Sequence, residues 1–156
     1  MKGEIEKPAV FPSLKGKSVF ITGGGSGIGE SLVEHFCQQD AKVTFVDIAT
    51  KPARTLVERI AKSGQTAPTF INCDLRDIDA LRSAIADCAQ KQGPISVLIN
   101  NAGNDDRHKS EDVSVEYWDE RMQVNLRHQF FAAQAVRPQM RETGTSFLEW
   151  CIMPGP

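Results

Sequence analysis

Apolar and polar residues along this chain fall into two alternating kinds of block. Four short runs, at 18–21, 42–47, 69–72 and 95–99, read as strands, and the one at 42–47 is mostly apolar on both parities. That is the pattern of strands covered on both faces. Between them lie longer segments whose apolar residues recur every three or four positions, as on one face of a helix. The first is predicted over about 27–39, with Ile28, Leu32 and Phe36 as its buried stripe. The second runs to about Ser63, with Pro52 in its first turn, Leu56, Val57 and Ile60 inward, and Gly64 at its end. The third, about 78–92, buries Ile78, Leu81 and Ile85 and stops at Gly93-Pro94. The longest is predicted over about 115–140. Its stripe is Trp118, Met122, Asn125, Gln129, Ala133 and Val136, with Leu126 and Phe130 alongside. Gly144 breaks it, and 146–152 fits a fifth strand.

Strands alternating with helices through short connections predict an α/β fold. It is a Rossmann-like doubly wound parallel sheet of four to five strands, with helices on both faces and right-handed crossovers. A length of 156 residues fits one domain. The division is a polar arm over 1–17, the α/β domain over 18–144 and a tail over 145–156.

Composition narrows the function without choosing it. The chain is 40% hydrophobic and 24% charged with net charge −2, ordinary for a soluble protein. There is no basic excess for nucleic acid. No apolar run approaches the ~18 residues of a membrane span. Lys2, Glu4, Glu6 and Lys7 make the first residues unlike a signal peptide. Cys37, Cys73, Cys88 and Cys151 form no C-x-x-C pair and have no histidine at metal-ligand spacing. Reduced, structural thiols in a cytoplasmic protein without a metal are expected.

The candidate chemistry begins at Thr22-Gly23-Gly24-Gly25-Ser26-Gly27-Ile28-Gly29. A glycine-rich turn between a strand and a helix N-terminus suits a phosphate, because unpaired N–H groups and the helix dipole point at it. The spacing is T-G-x-x-x-G-x-G, neither a Walker loop nor G-x-G-x-x-G. An ordinary tight turn is the plain alternative. Asp47 ends the second strand, where an acidic side chain accepts hydrogen bonds from a ribose and disfavours a 2′-phosphate. A loop-start aspartate is its alternative. Asp74 follows the third strand, with Asp77 competing as helix cap. Asn100-Asn101-Ala102-Gly103 puts two amides after a buried strand. They either bind the neighbouring strand and leave room for a ligand, or form a plain turn. Asn125 puts an amide in an apolar stripe, so it needs a partner or a water. His35 and Cys37 read as surface or packing residues; His108 and His128 could reach a pocket, but a solvated loop and a helix surface are the favoured places. Arg107, Lys109, Glu111 and Asp112 read as a solvated loop.

As an ordered set, these residues resemble the short-chain dehydrogenase/reductase family over about 12–144. The runs 12–17, 101–109, 117–121 and 124–128 are most similar to bacterial NAD-dependent D-xylose 1-dehydrogenases. The resemblance implies that Gly23, Ser26, Gly27, Ile28 and Gly29 hold a pyrophosphate, Asp47 the adenosine ribose, and Asp74 with Leu75 the adenine. It places Asn101, Ala102 and Gly103 at the nicotinamide and Asn125 at the position that holds a relay water. It implies NAD rather than NADP, a sugar substrate for the complete enzyme, and a homo-oligomer. The family's serine, tyrosine and lysine are expected after residue 144 and do not appear; the only tyrosine is Tyr117, with Arg121 four residues on. Two readings follow. One is the cofactor half of a sugar dehydrogenase, truncated or frameshifted and inactive alone. The other is a nucleotide-binding remnant or interaction fragment.

Overall fold

The computed structural model describes residues 9–106 and 108–143. The fifth-strand candidate at 146–152, Cys151, Arg107, Gly144, the whole tail and residues 1–8 of the arm lie outside them.

Four parallel strands form one sheet in the order β3-β2-β1-β4. They are β1 (Ser18–Thr22), β2 (Lys42–Asp47), β3 (Thr69–Asn72) and β4 (Ile95–Asn100). The crossovers are α1 (Gly27–Gln38), α2 (Thr50–Lys62) and α3 (Ile78–Gln92). After β4 come α4 (Val115–Met122), a π-helical turn (Gln123–Arg127) and α5 (His128–Glu142). The doubly wound α/β architecture is as the pattern predicts.

Strand pleating sorts the core into two layers, because successive side chains point to opposite faces. Val19, Ile21, Val43 and Phe45 pack with Val33 and Cys37 of α1 and Ala53, Leu56 and Ile60 of α2. Phe20, Val46 and Leu98 pack on the other face with Leu81 and Ile85 of α3 and Ala132, Val136 and Met140 of α5. Every residue of β1 is buried, which makes it the strand both layers share.

Three expectations need correction. The buried face of α1 is Gly29, Val33 and Cys37, and Ile28 is 62% exposed. The glycine turn sets this phase by pressing Gly29 onto the backbone of Gly23, where a Cβ would fall on the carbonyl oxygen. That turns Ile28 outward, while Leu32 and Phe36 stay partly buried against the core. The long helix is not a single α-helix. Its π turn adds a residue to one turn and resets the phase. Beyond it the buried positions are His128, Gln129, Ala132, Val136 and Met140. Trp118, Leu126 and Phe130 are exposed instead of inward. The same reset buries His128 completely, against its expected place on the surface.

Cys37, Cys73 and Cys88 are buried free thiols. Burial pushes the Cys37 thiol up to about 12 and the Cys73 thiol up to about 11, which keeps both protonated and inert. Among the described residues no helix is long and apolar enough to cross a membrane.

Candidate functional site

The carboxyl ends of β1, β2 and β4 open onto one cleft of about 810 Å³. Ligands of open parallel sheets sit at such a place. β1 ends in Thr22, and the chain turns at Gly23 in the left-handed region at φ +66°. A side chain at Gly23 would also meet the Cα of Ala102 at 2.8 Å. The turn is tied to β2, with the Gly23 N–H donating to the Val46 carbonyl at 2.8 Å. Ser26 is the N-cap of α1, but its side chain makes no capping bond. The first-turn N–H groups, which no helix can satisfy internally, therefore remain for a ligand.

Asp47 stands at the end of β2. Its Oδ2 accepts the Gly25 N–H at 2.8 Å and its Oδ1 accepts the Ala49 N–H at 2.8 Å. The carboxylate is thereby fixed beside the glycine turn with lone pairs to spare.

Across the cleft, Thr22 and Asn101 knit β1 to β4. The Thr22 Oγ1 accepts the N–H groups of Asn101 and Ala102, both at 3.1 Å. The Asn101 Nδ2 donates to the carbonyls of Thr22 and Gly23 at 3.1 and 2.8 Å. Asn100 lies in β4 and is buried. Asn101 thus fastens the strand ends together, while Ala102 and Gly103 keep the wall low.

Asn125 lies in the π turn and reaches back to Asn104. Its Oδ1 accepts the Asn104 N–H at 2.7 Å and its Nδ2 donates to the Asn104 carbonyl at 2.9 Å. The Gln129 side chain donates to the Asn125 carbonyl at 2.7 Å. A π turn frees backbone carbonyls from the helical ladder, and this is one way of satisfying them.

At the opposite end, Asp77 caps α3 through the N–H groups of Asp79 and Ala80. Asp74 is therefore not needed as the cap. Its carboxylate faces Arg76, whose hydrogen bonds hold it below the usual carboxylate range.

The structure brings all the predicted site residues to this one cleft. Gly23, Ser26, Gly27, Ile28 and Gly29 line it with Asp47, Asp74, Leu75, Asn101, Ala102, Gly103 and Asn125. The sequence reading missed Ile48, Arg76, Glu120 and Arg121, which line it too. Arg76 carried one available signal, its place two residues after Asp74. Glu120 and Arg121 carried none, because only the turn of α4 aims them inward. His108 packs edge-on against Tyr117 and does not line the cleft.

A family model described as short chain dehydrogenase matches residues 17–146. A D-xylose 1-dehydrogenase of Caulobacter vibrioides is 50% identical over 136 residues, 87% of this chain and 53% of that protein. A probable galactose dehydrogenase of Rhizobium meliloti is 49% identical over 134 residues, 86% of this chain and 52% of that one. The chain thus spans about half the length of these curated relatives. A dehydrogenase/reductase of Sinorhizobium meliloti superposes with TM-score 0.77 at 31% identity, covering 80% of this chain and 50% of that structure.

Proposed function

The chain belongs to the short-chain dehydrogenase family, and on that premise we propose that it is the NAD-binding part of a sugar 1-dehydrogenase. Placement of Asp47 carries the cofactor choice. A carboxylate fixed beside the glycine turn accepts ribose hydroxyls and repels a 2′-phosphate. The other lining residues fit a dinucleotide. Gly23, Ser26, Gly27, Ile28 and Gly29 offer a turn and uncapped N–H groups to the pyrophosphate. Asp74 and Leu75 take the adenine, and Asn101, Ala102 and Gly103 flank the nicotinamide. Bound NAD supplies the hydride acceptor. Asn125 fixes the loop at Asn104, and a relay water there would use the remaining lone pair of its Oδ1.

The sugar is proposed from the names of the two bacterial relatives. The complete enzyme oxidises the anomeric hydroxyl of an aldose to a lactone. These 156 residues contain one tyrosine, Tyr117, which precedes Asn125 and has Arg121 four positions on. General acid–base groups are worth ~10²–10⁴ in rate. The 156-residue chain is therefore proposed to bind NAD without turnover. The same count favours the second reading, a nucleotide-binding remnant or interaction fragment.

Thermal melting with NAD and NADP, beside an assay for NADH with D-xylose and D-galactose, tests the proposal. NAD at a hundred times its Kd stabilises by about 2.7 kcal/mol, and NADP is expected to do less. Equal shifts would overturn the role of Asp47, and no shift the cofactor site. NADH above a no-protein blank would overturn the inactivity of this chain.

A further inference from the structure

Arg76 belongs to no motif, yet it makes the densest set of polar contacts in the cleft. The Asp74 Oδ1 accepts the Arg76 N–H at 2.9 Å and its Nε–H at 3.0 Å. The Oδ2 accepts the same Nε–H at 3.0 Å and the Nη2–H at 2.6 Å. The remaining branch reaches over to α4, where Nη1 donates to the Glu120 Oε1 at 3.0 Å. Glu120 is held in turn by Arg121, and Arg121 by Asp106.

An ionised carboxylate has about four lone-pair sites. Three donors of one residue meet both oxygens here, and the Nε–H is shared between them, so three hydrogens are spread over those sites. A half-exposed aspartate on a loop would otherwise sample several rotamers. A planar guanidinium fork fixes its plane, as a lysine ammonium does not. We propose that Arg76 is a positioning residue for the base of the nucleotide. Anchored on Glu120, it holds Asp74 in one orientation as an acceptor for the exocyclic amine of an adenine. The inference rests on the adenine placement proposed above.

A base with an oxygen at that place discriminates. Adenine donates to a fixed carboxylate, whereas hypoxanthine presents a carbonyl oxygen and is repelled. Calorimetry on the 156-residue chain would compare NAD, its hypoxanthine analogue and nicotinamide mononucleotide. The unmodified protein is expected to prefer NAD to the analogue. Arg76→Gln is expected to lower that preference by about threefold or more, the worth of a modest hydrogen bond. Arg76→Lys restores it only in part, and the mononucleotide binds all proteins alike. A merely structural role would weaken all three ligands together, and that result would overturn the inference. So would an unchanged preference in Arg76→Gln while Asp74→Ala abolishes it. An unchanged preference in Asp74→Ala would overturn the adenine placement itself.

Discussion

Asn125 and Asn104 hold one another by two hydrogen bonds, side-chain Oδ1 to backbone N–H at 2.7 Å and side-chain Nδ2 to backbone carbonyl at 2.9 Å. The pair joins the π turn to the loop that leaves β4. An asparagine in an apolar stripe thus satisfies both the N–H and the carbonyl of Asn104, which lie outside any strand or helix. Asn125→Ala leaves both groups of Asn104 without that partner and is expected to cost ~1–3 kcal/mol in urea unfolding. Asn125→Asp keeps the acceptor but sets a second oxygen against the Asn104 carbonyl. Its cost should match or exceed that of alanine at neutral pH and shrink on acidification. A neutral Asn125→Ala would show the pair to be dispensable.

Two glycines of the turn should separate folding from binding. Gly29→Ala drives a methyl into the Gly23 carbonyl, which is backbone and cannot yield, and against the Asn101 Nδ2 that bonds it. It is expected to destabilise by at least about 3 kcal/mol. Gly27 has φ +57° but open space within 4 Å of its missing side chain. Gly27→Ala should cost only about 1–2 kcal/mol from backbone strain. Its methyl then stands where the proposed pyrophosphate lies, so NAD binding should fall much further than stability. Equal stability losses for the two variants would refute this separation.

Asp47 holds the glycine turn and is proposed to choose the cofactor, and conservative variants distinguish the two. Asp47→Ala removes the acceptor for the Gly25 and Ala49 N–H groups and should cost about 2 kcal/mol. Asp47→Asn keeps one acceptor oxygen and removes the charge. It should retain more stability while losing the preference for NAD over NADP, as read by melting shifts. An asparagine variant that still excludes NADP would place the discrimination elsewhere.

What the sequence revealed follows from what local pattern encodes. Strand bounds and the layered sheet were legible because buried parallel strands are apolar on both parities and the glycines and prolines punctuate them. Most motif residues were legible because they follow a strand end, and Asn125, in the π turn, because it puts an amide in an apolar stripe. The phase of α1 was not legible, since Ile28, Leu32 and Phe36 make as regular a stripe as the one beside it. Only the close approach of Gly29 to Gly23 decides between them, and that is a tertiary contact. From the π turn onward the predicted stripe keeps Gln129 and Val136, but Leu126 and Phe130 turn outward, because the turn adds a residue that no residue type announces. Trp118, before that turn, is exposed as well. Arg76 was only half legible: Asp74 is two residues away, but Glu120 is 44 away and only the fold brings it near.

His128 supplies the pH dependence. It is completely buried, and burial pushes its pKa down to about 4. Neither ring nitrogen reaches hydrogen-bonding geometry with a described residue. The nearby carbonyls of Val124 and Gln123 favour the protonated ring, but they do not outweigh desolvation. The folded protein therefore keeps this ring neutral at pH values where the unfolded chain, with an ordinary value of 6.5, binds a proton. Over that interval the unfolded state holds more protons, so stability falls as pH falls from about 6.5 to about 4. The full loss is about 3 kcal/mol at 1.36 kcal/mol per pKa unit. Above the upper limit the contribution is constant. His128→Leu replaces the ring by an apolar side chain that needs no proton and no partner. Urea unfolding across this range should then show a shallower slope for the variant, with the two proteins differing most at the acid end. Parallel pH profiles for the two proteins would show that His128 does not titrate with unfolding.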